Sequence, residues 1–232
     1  MSPKIRCFHV TVTSIANVAP GTDCRDAFQA AYQNRYTWEP GFSGYKGRCV
    51  WEQGDRRVEG RFQIGADLKA KVEGIDDAEV EKAIASQLWE VAIHRVRRPF
   101  EQVHGANTFI AGDSTDEGLE VLIAGKGEGD RYRIKDDVVT MVHRHIHGTV
   151  VTIHTGSTTD TGSGYLSHTY NSQYSDPKTG ESKGSANQFE DTFTPLFEGG
   201  PWVLEQRVIK TDSGDAVEKQ VFRFESLEAK TN

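Results

Sequence analysis

The sequence predicts an α+β fold: one large, curved antiparallel sheet, or a partly open barrel, carrying two helices. Three observations lead there. Strand-like stretches separated by Gly- and Asp-containing turns recur roughly every ten to fifteen residues through the second half of the chain. Only two stretches show helical apolar spacing, and a proline closes each. The connections are short, which favours antiparallel neighbours over alternating parallel units. No internal repeat, heptad run or long linker divides the chain, so residues 23–232 are expected to form a single domain behind a leader or extra N-terminal segment, 1–22.

In order, the stretch 1–20 carries Lys4 and Arg6 but no continuous apolar region of a secretory signal. It reads as an organelle-targeting remnant or as an added strand or arm. Asp23 or Thr22 caps a helix beginning at Cys24, in which Ala27, Phe28, Ala31 and Tyr32 recur at helical spacing until Pro40-Gly41 ends the unit. Three meandering strands follow over 45–53, 56–64 and 67–73. A second helix runs from Asp76 to about Arg97, with Val80, Ile84, Leu88 and Val91 as its buried stripe and Pro99 as its stop. From Asn107 the pattern is strand and turn, with strands expected over 118–124, 130–134, 138–147, 149–155, 165–174, 188–196, 202–210 and 217–225. Residues 157–164 read as a polar loop, and 176–180 as the turn of a long hairpin.

Composition removes several function classes. A 36% hydrophobic content with 11 Phe, 7 Tyr and 4 Trp excludes general disorder. No apolar run approaches the ~20 residues of a membrane-spanning helix. The net charge of −7 argues against a nucleic-acid partner. Cys7, Cys24 and Cys49 form an odd set without a CxxC pair, so they read as reduced thiols. The Gly125–Gly129 stretch lacks the GxxxxGK[ST] order, and no GxSxG elbow is present.

The densest signal is a hairpin reading MVHRHIHGTVVTIH from Met141 to His154. With His147-Gly148 as its turn, His143 faces Thr152, His145 faces Val150 and Met141 faces His154, which puts His143, His145 and His154 on one side of the ribbon. Val142, Ile146, Val151 and Ile153 form the opposite, core-facing side. Arg144 interrupts that side and needs a wet edge or a carboxylate partner. A His-x-His pair sets two imidazoles about 6.5 to 7 Å apart along a strand, close enough to chelate one ion. His143, His145 and His154 are therefore candidate ligands for a divalent metal, Zn or Fe, with His104, Glu101 or His168 to complete the shell. The bland alternative is a solvated face, with His147 in a left-handed turn position.

The second signal is basic. His94, Arg95, Arg97, Arg98 and His104 crowd the end of the second helix, beyond what a helix dipole calls for. Arginine forks grip carboxylates and phosphates, so the segment suits an anionic ligand or internal acids such as Glu90, Glu101, Asp130 and Asp191. The aromatics Tyr32, Tyr36, Trp38, Tyr45 and Trp51 serve the core first and a pocket lining second.

Five stretches together resemble a family of uncharacterised proteins of about this length from cyanobacteria and plastids. They are AFQAAYQNRYTW from Ala27, IHRVRRPFE from Ile93 with His104-Gly105, DRY from Asp130, MVHRHIHG from Met141 and DPKTG from Asp176. The likeness spans residues 23 to 227 or so and leaves the leader unmatched. It implies a cytoplasmic or plastid-stromal protein and assigns no reaction. The curved sheet is also similar to the half-barrels of lipoprotein carriers, a likeness of fold alone.

The leading expectation is a soluble, non-catalytic protein binding an amphiphilic or anionic small molecule between the sheet and the basic helix end. His94, Arg95, Arg97, Arg98, His104 and Arg144 would hold the ligand. The resemblance makes a tetrapyrrole or isoprenoid pigment a guess from lineage. One alternative is a metal-dependent enzyme, with His143 and His145 on the ion and Glu101 as general base. The other is a scaffold or assembly factor whose histidines and arginines bridge internal acids.

Overall fold

Twelve antiparallel strands form one curved, unclosed sheet in the computed structural model, which describes residues 23–214 and 216–230. The leader and Cys7 lie outside the described residues. Helix α1 (Cys24–Gln33) is followed by β1 (Gly44–Gln53), β2 (Arg56–Gly65) and β3 (Ala70–Glu73), then by α2 (Ala78–Ile93) and α3 (Phe100–His104). The remaining strands are β4 (Asn107–Thr115), β5 (Gly118–Gly125), β6 (Arg131–Lys135), β7 (Val138–Ile146), β8 (Thr149–Asp160), β9 (Tyr165–Ser175), β10 (Ala186–Pro195), β11 (Trp202–Asp212) and β12 (Val217–Ala229). Pairing of β1 with β12 joins the two meanders, giving the order β3-β2-β1-β12-β11-β10-β9-β8-β7-β6-β5-β4.

Local chemistry accounts for the helices. The Asp23 carboxylate accepts from the Arg25 amide, and Asp77 accepts from the amides of Glu79 and Val80, so each helix starts on an aspartate cap. Val80, Ile84, Leu88 and Val91 are all buried, as their spacing requires. The second helix ends at Ile93, earlier than its sequence suggests, because the chain then runs extended and Val96 bridges to Trp38. Pro99 holds the chain out of the helical path and then opens α3, a third helix that the apolar spacing does not reveal. Strand β4 is likewise undelimited by the sequence pattern. The expected polar loop is corrected too: β8 continues to Asp160, pairing Thr158 with Ser167 and Thr159 with Leu166. Its β-branched threonines favour extended backbone, and the Ser157 and Thr169 hydroxyls hydrogen-bond at 2.7 Å.

The helices cover the two ends of one face, α2 reaching as far as Arg207 of β11, and leave the stretch around Ile153, Tyr174 and Ile146 less covered. α2 packs on β1, β2 and β3 over a core containing Ile84, Leu88, Trp51, Phe62 and Phe222. α1 and α3 close the other end over β4 to β7 with Phe28, Phe100, Val121, Ile123 and Tyr132. Full burial of one such side chain contributes about 1.5 to 3 kcal/mol, so the two cores anchor the ends of the sheet. The first core extends onto β10 and β11 through Phe193, Leu204 and Ile209, and the inner face of β8 and the adjoining part of β9 lie between the two cores.

Candidate functional site

Strand alternation fixes which side chains line that middle. Tyr170 of β9 stands opposite Phe189 of β10, which stands opposite Ile209 of β11; their neighbours Asp191 and Arg207 also pair across the strands. Tyr170 and Phe189 stack with ring centroids 4.7 Å apart and planes 5° from parallel. On the other side of Tyr170 the surface continues through Ile153 and Val151 to Tyr174 and Ile146, which are 46% and 40% exposed. The strip thus rises from a polar, buried floor to an apolar, open mouth.

Arg207 holds the floor. Its guanidinium, 2% exposed, donates Nε to Asp191 Oδ1 at 2.8 Å and Nη2 to Asp191 Oδ2 at 2.7 Å. Nη2 also donates to Tyr170 Oη at 2.7 Å, and Nη1 donates to Gln87 at 2.8 Å and Glu90 at 3.3 Å. Those bonds occupy all the donors of the fork. Burial alone disfavours its charge, but Asp191, Tyr170 and Glu90 outweigh burial and raise its pKa. Tyr170 donates in turn to Asp191 Oδ2 at 3.1 Å, and His168 Nδ1 donates to the Asp191 carbonyl at 2.7 Å. The Asp191 carboxylate thus accepts three hydrogen bonds, one at Oδ1 and two at Oδ2, and is held as the counter-ion of a buried guanidinium.

Above the floor stands an excess of cations. Arg95 donates Nη1 to the Tyr36 carbonyl at 3.2 Å and lies 5.7 Å from the Phe193 ring centroid, while its buried Nε has no hydrogen-bond partner. Burial, followed by repulsion from Arg35, lowers its pKa to about 10. Arg35 rests on the Tyr32 ring at 3.9 Å and donates to the Tyr32 carbonyl. His94 is open to solvent, yet burial, then Arg95, Arg35, Arg207 and Arg98, lower its pKa to about 4.

The expected ligand-binding residues divide. His94 is exposed at the C-cap of α2, and Arg95 is half-buried against Tyr36 and Phe193. Arg97 is exposed and bonded to Thr37 Oγ1 at 3.1 Å, and Arg98 is exposed, its carbonyl accepting from Tyr32. His104 belongs to the core of the α1 end, 4.9 Å from Phe28 and 5.0 Å from Tyr32 between ring centroids. Arg144 finds the carboxylate it needs, pairing through Nε with Asp130 Oδ2 at 3.2 Å.

The hairpin register is the expected one, with His143 opposite Thr152, His145 opposite Val150 and Met141 opposite His154. His147 (φ 48°) and Gly148 (φ 76°) both occupy the left-handed region of the turn. The metal shell does not assemble. His143 bonds Thr152 Oγ1 at 2.9 Å, and His145 lies 3.5 Å from Asp130 and 5.8 Å, ring to ring, from His143. His154 borders a separate groove, while Glu101 is bound to Arg25 at 2.6 Å beside α3. Among the described residues no group of three or more His, Cys, Asp or Glu converges to hold an ion. The reason is parity: the hairpin histidines face outward, whereas His104 and Glu101 belong to the helix-covered face.

Two open grooves, of about 520 Å³ beside Thr192, Gln206 and Arg223 and about 370 Å³ beside His154, Gln188 and Lys210, lie on the outer face. Neither touches Arg95 or Arg207. Sequence reasoning missed Arg207, Tyr170, Phe189 and Arg35 as site residues. The signal available was an opposite charge at inward parity on two neighbouring strands, Asp191 beside Phe189 and Arg207 beside Ile209, the same argument that demanded a partner for Arg144.

Residues 19–229 match the family model described as "Protein of unknown function (DUF3386)". No curated protein is significantly similar to the chain. Two crystal structures align broadly. One is a DUF1329 family protein from Desulfovibrio piger, 9% identical with a TM-score of 0.30, covering 90% of this chain and 93% of the other. The second, from Vibrio parahaemolyticus, is described as an outer membrane lipoprotein-sorting protein domain, 8% identical with a TM-score of 0.34, covering 90% and 94%. At these scores neither likeness bears on the function of this chain.

Proposed function

We propose that this chain, which belongs to the DUF3386 family of proteins of unknown function, is a non-catalytic binding protein that holds a small amphiphilic molecule on the inner face of β8–β11. The carrying observation is a partly exposed apolar strip on the inner face, running from Tyr170 and Phe189 at the edge of the α2 core through Ile153 to half-exposed Tyr174 and Ile146. Ligand sites combine such an apolar lining with a few oriented polar groups, here at the Arg95 end. The Asp191–Arg207–Tyr170 network supports binding over acid–base chemistry, because its carboxylate is bidentately paired with a buried guanidinium and also accepts from Tyr170. Among the described residues no helix is long and apolar enough to cross a membrane. Buried, unpaired Cys24 and Cys49 support a reducing compartment, cytoplasmic or stromal, as the place of action.

Fluorescence titration with the neutral arylamine N-phenyl-1-naphthylamine tests this reading. Saturable binding is expected, and Tyr174→Asp should weaken it about tenfold with an unchanged melting temperature, since Tyr174 is half exposed and loss of one apolar contact is worth about 1.4 kcal/mol. Gln188→Asp, on the outer face, should leave it unchanged. Loss of binding in the outer-face variant but not in Tyr174→Asp would move the site to the opposite surface.

A further inference from the structure

We infer that Arg95 is the receptor for a single oxyanion head, a carboxylate or sulfonate, on the molecule held by the strip. This rests on the binding reading above and adds the chemical class of ligand. Arg207 spends every N–H of its guanidinium on Asp191, Tyr170, Gln87 and Glu90, so it is a structural cation with nothing left to offer. Arg95 makes one side-chain hydrogen bond, to the Tyr36 carbonyl, and its Nε is buried without a partner. An orphaned donor on a buried charge is costly, and guanidinium edges fit the two oxygens of a carboxylate.

Charge balance points the same way. Among the described residues two carboxylates are buried: Asp191 is taken by Arg207 and Asp130 by Arg144, while Glu90, 45% exposed, lies on Arg207 as well. Arg95 and Arg35 have no carboxylate within ion-pair distance among the described residues. One monoanion restores the balance beside Arg95, and the stacked Tyr170 and Phe189 rings on the adjacent strands provide the apolar surface for its body.

The test compares N-phenyl-1-naphthylamine with its sulfonated counterpart, 1-anilinonaphthalene-8-sulfonate, on the full chain. Wild type should bind the sulfonate more tightly than the neutral dye. Arg95→Gln should weaken the sulfonate by about 10- to 100-fold, the range expected for one charge-assisted contact, and so lower the sulfonate-to-neutral affinity ratio by about tenfold or more. Arg95→Lys should restore part of the loss, because it keeps the charge and removes the fork. An unchanged sulfonate-to-neutral ratio in folded Arg95→Gln would overturn the inference while the binding reading stands. Failure of both dyes to bind wild type would overturn both. Should Arg95→Gln not fold, competition on wild type decides: decanoate must displace the neutral dye at least tenfold more effectively than decan-1-ol, and equal displacement refutes the oxyanion site.

Discussion

The histidine hairpin and the Arg95 cluster use similar residues on opposite faces of one sheet, and their chemistry diverges accordingly. On the outer face His143 rests on Thr152 and His145 on Asp130, with water to screen what remains. On the inner face Arg35, Arg95 and Arg207 gather around His94 where desolvation and like charge add, so His94 falls to about 4 and Arg95 to about 10. The difference teaches that clustering in sequence does not make a site. What matters is whether strand parity and helix cover carry the cluster inward, where each unmatched charge demands a partner.

The largest effect should come from breaking the inner network. Asp191→Asn leaves Arg207, 2% exposed, with only the half-exposed Glu90 at 3.3 Å as counter-ion, and breaking a buried ion pair costs about 3 to 5 kcal/mol. Chemical denaturation should show that loss. The double variant Asp191→Leu with Arg207→Met should recover most of it, because it removes both charges together. A single-variant loss below about 1 kcal/mol would place the pair in the same class as exposed bridges such as Lys46–Glu228.

A second, smaller effect separates buried imidazoles from outer ones by pH. His104 is 7% exposed among aromatic rings, and burial, then Arg144 and Arg35, lower its pKa from 6.5 to about 4. The Asn107 amide meets its Nδ1 at 3.4 Å, which suits the neutral ring. Between those values the unfolded chain binds more protons than the folded one. The stability is therefore fully present above about pH 6.5 and is lost as pH falls towards 4, by up to about 3 kcal/mol. Denaturation at pH 7 and pH 4.5 should show a steeper loss in wild type than in His104→Gln, and equal slopes would assign the acid sensitivity elsewhere.

The sequence displayed much of this architecture and little of its centre. The meander, both long helices and the hairpin register follow from local rules: aspartate caps, apolar periods of 3.6 and 2, and turns such as His147-Gly148. Arg144 visibly needs an acid because it breaks an apolar face within a single hairpin, and Asp130 supplies it. Arg207 and Asp191 break their faces in the same way. Their strands, however, contain no histidine run or helix end to draw notice, and their meeting with Gln87 and Glu90 depends on how α2 lies across a twelve-stranded sheet. One-turn α3 escapes periodicity analysis because five residues are too few to display a period.

The smallest effect should be the one that the raw sequence makes most tempting to call large. His143→Ala with His145→Ala removes the most conspicuous motif of the chain, yet both rings stand on the outer face, and His145 contributes its backbone N–H, not only its ring, to Asp130. Alanine keeps that amide, so Asp130 remains bonded to Arg144 and to the backbone. Stability should change by about 0.5 kcal/mol or less, as for surface positions generally. Binding of both naphthylamine dyes should be unaltered, because the strip lies on the other side of the sheet. A tenfold loss of either dye in this variant would mean that the two faces are coupled through β7 and β8, and the separation of an inert outer hairpin from an inner binding face would have to be abandoned.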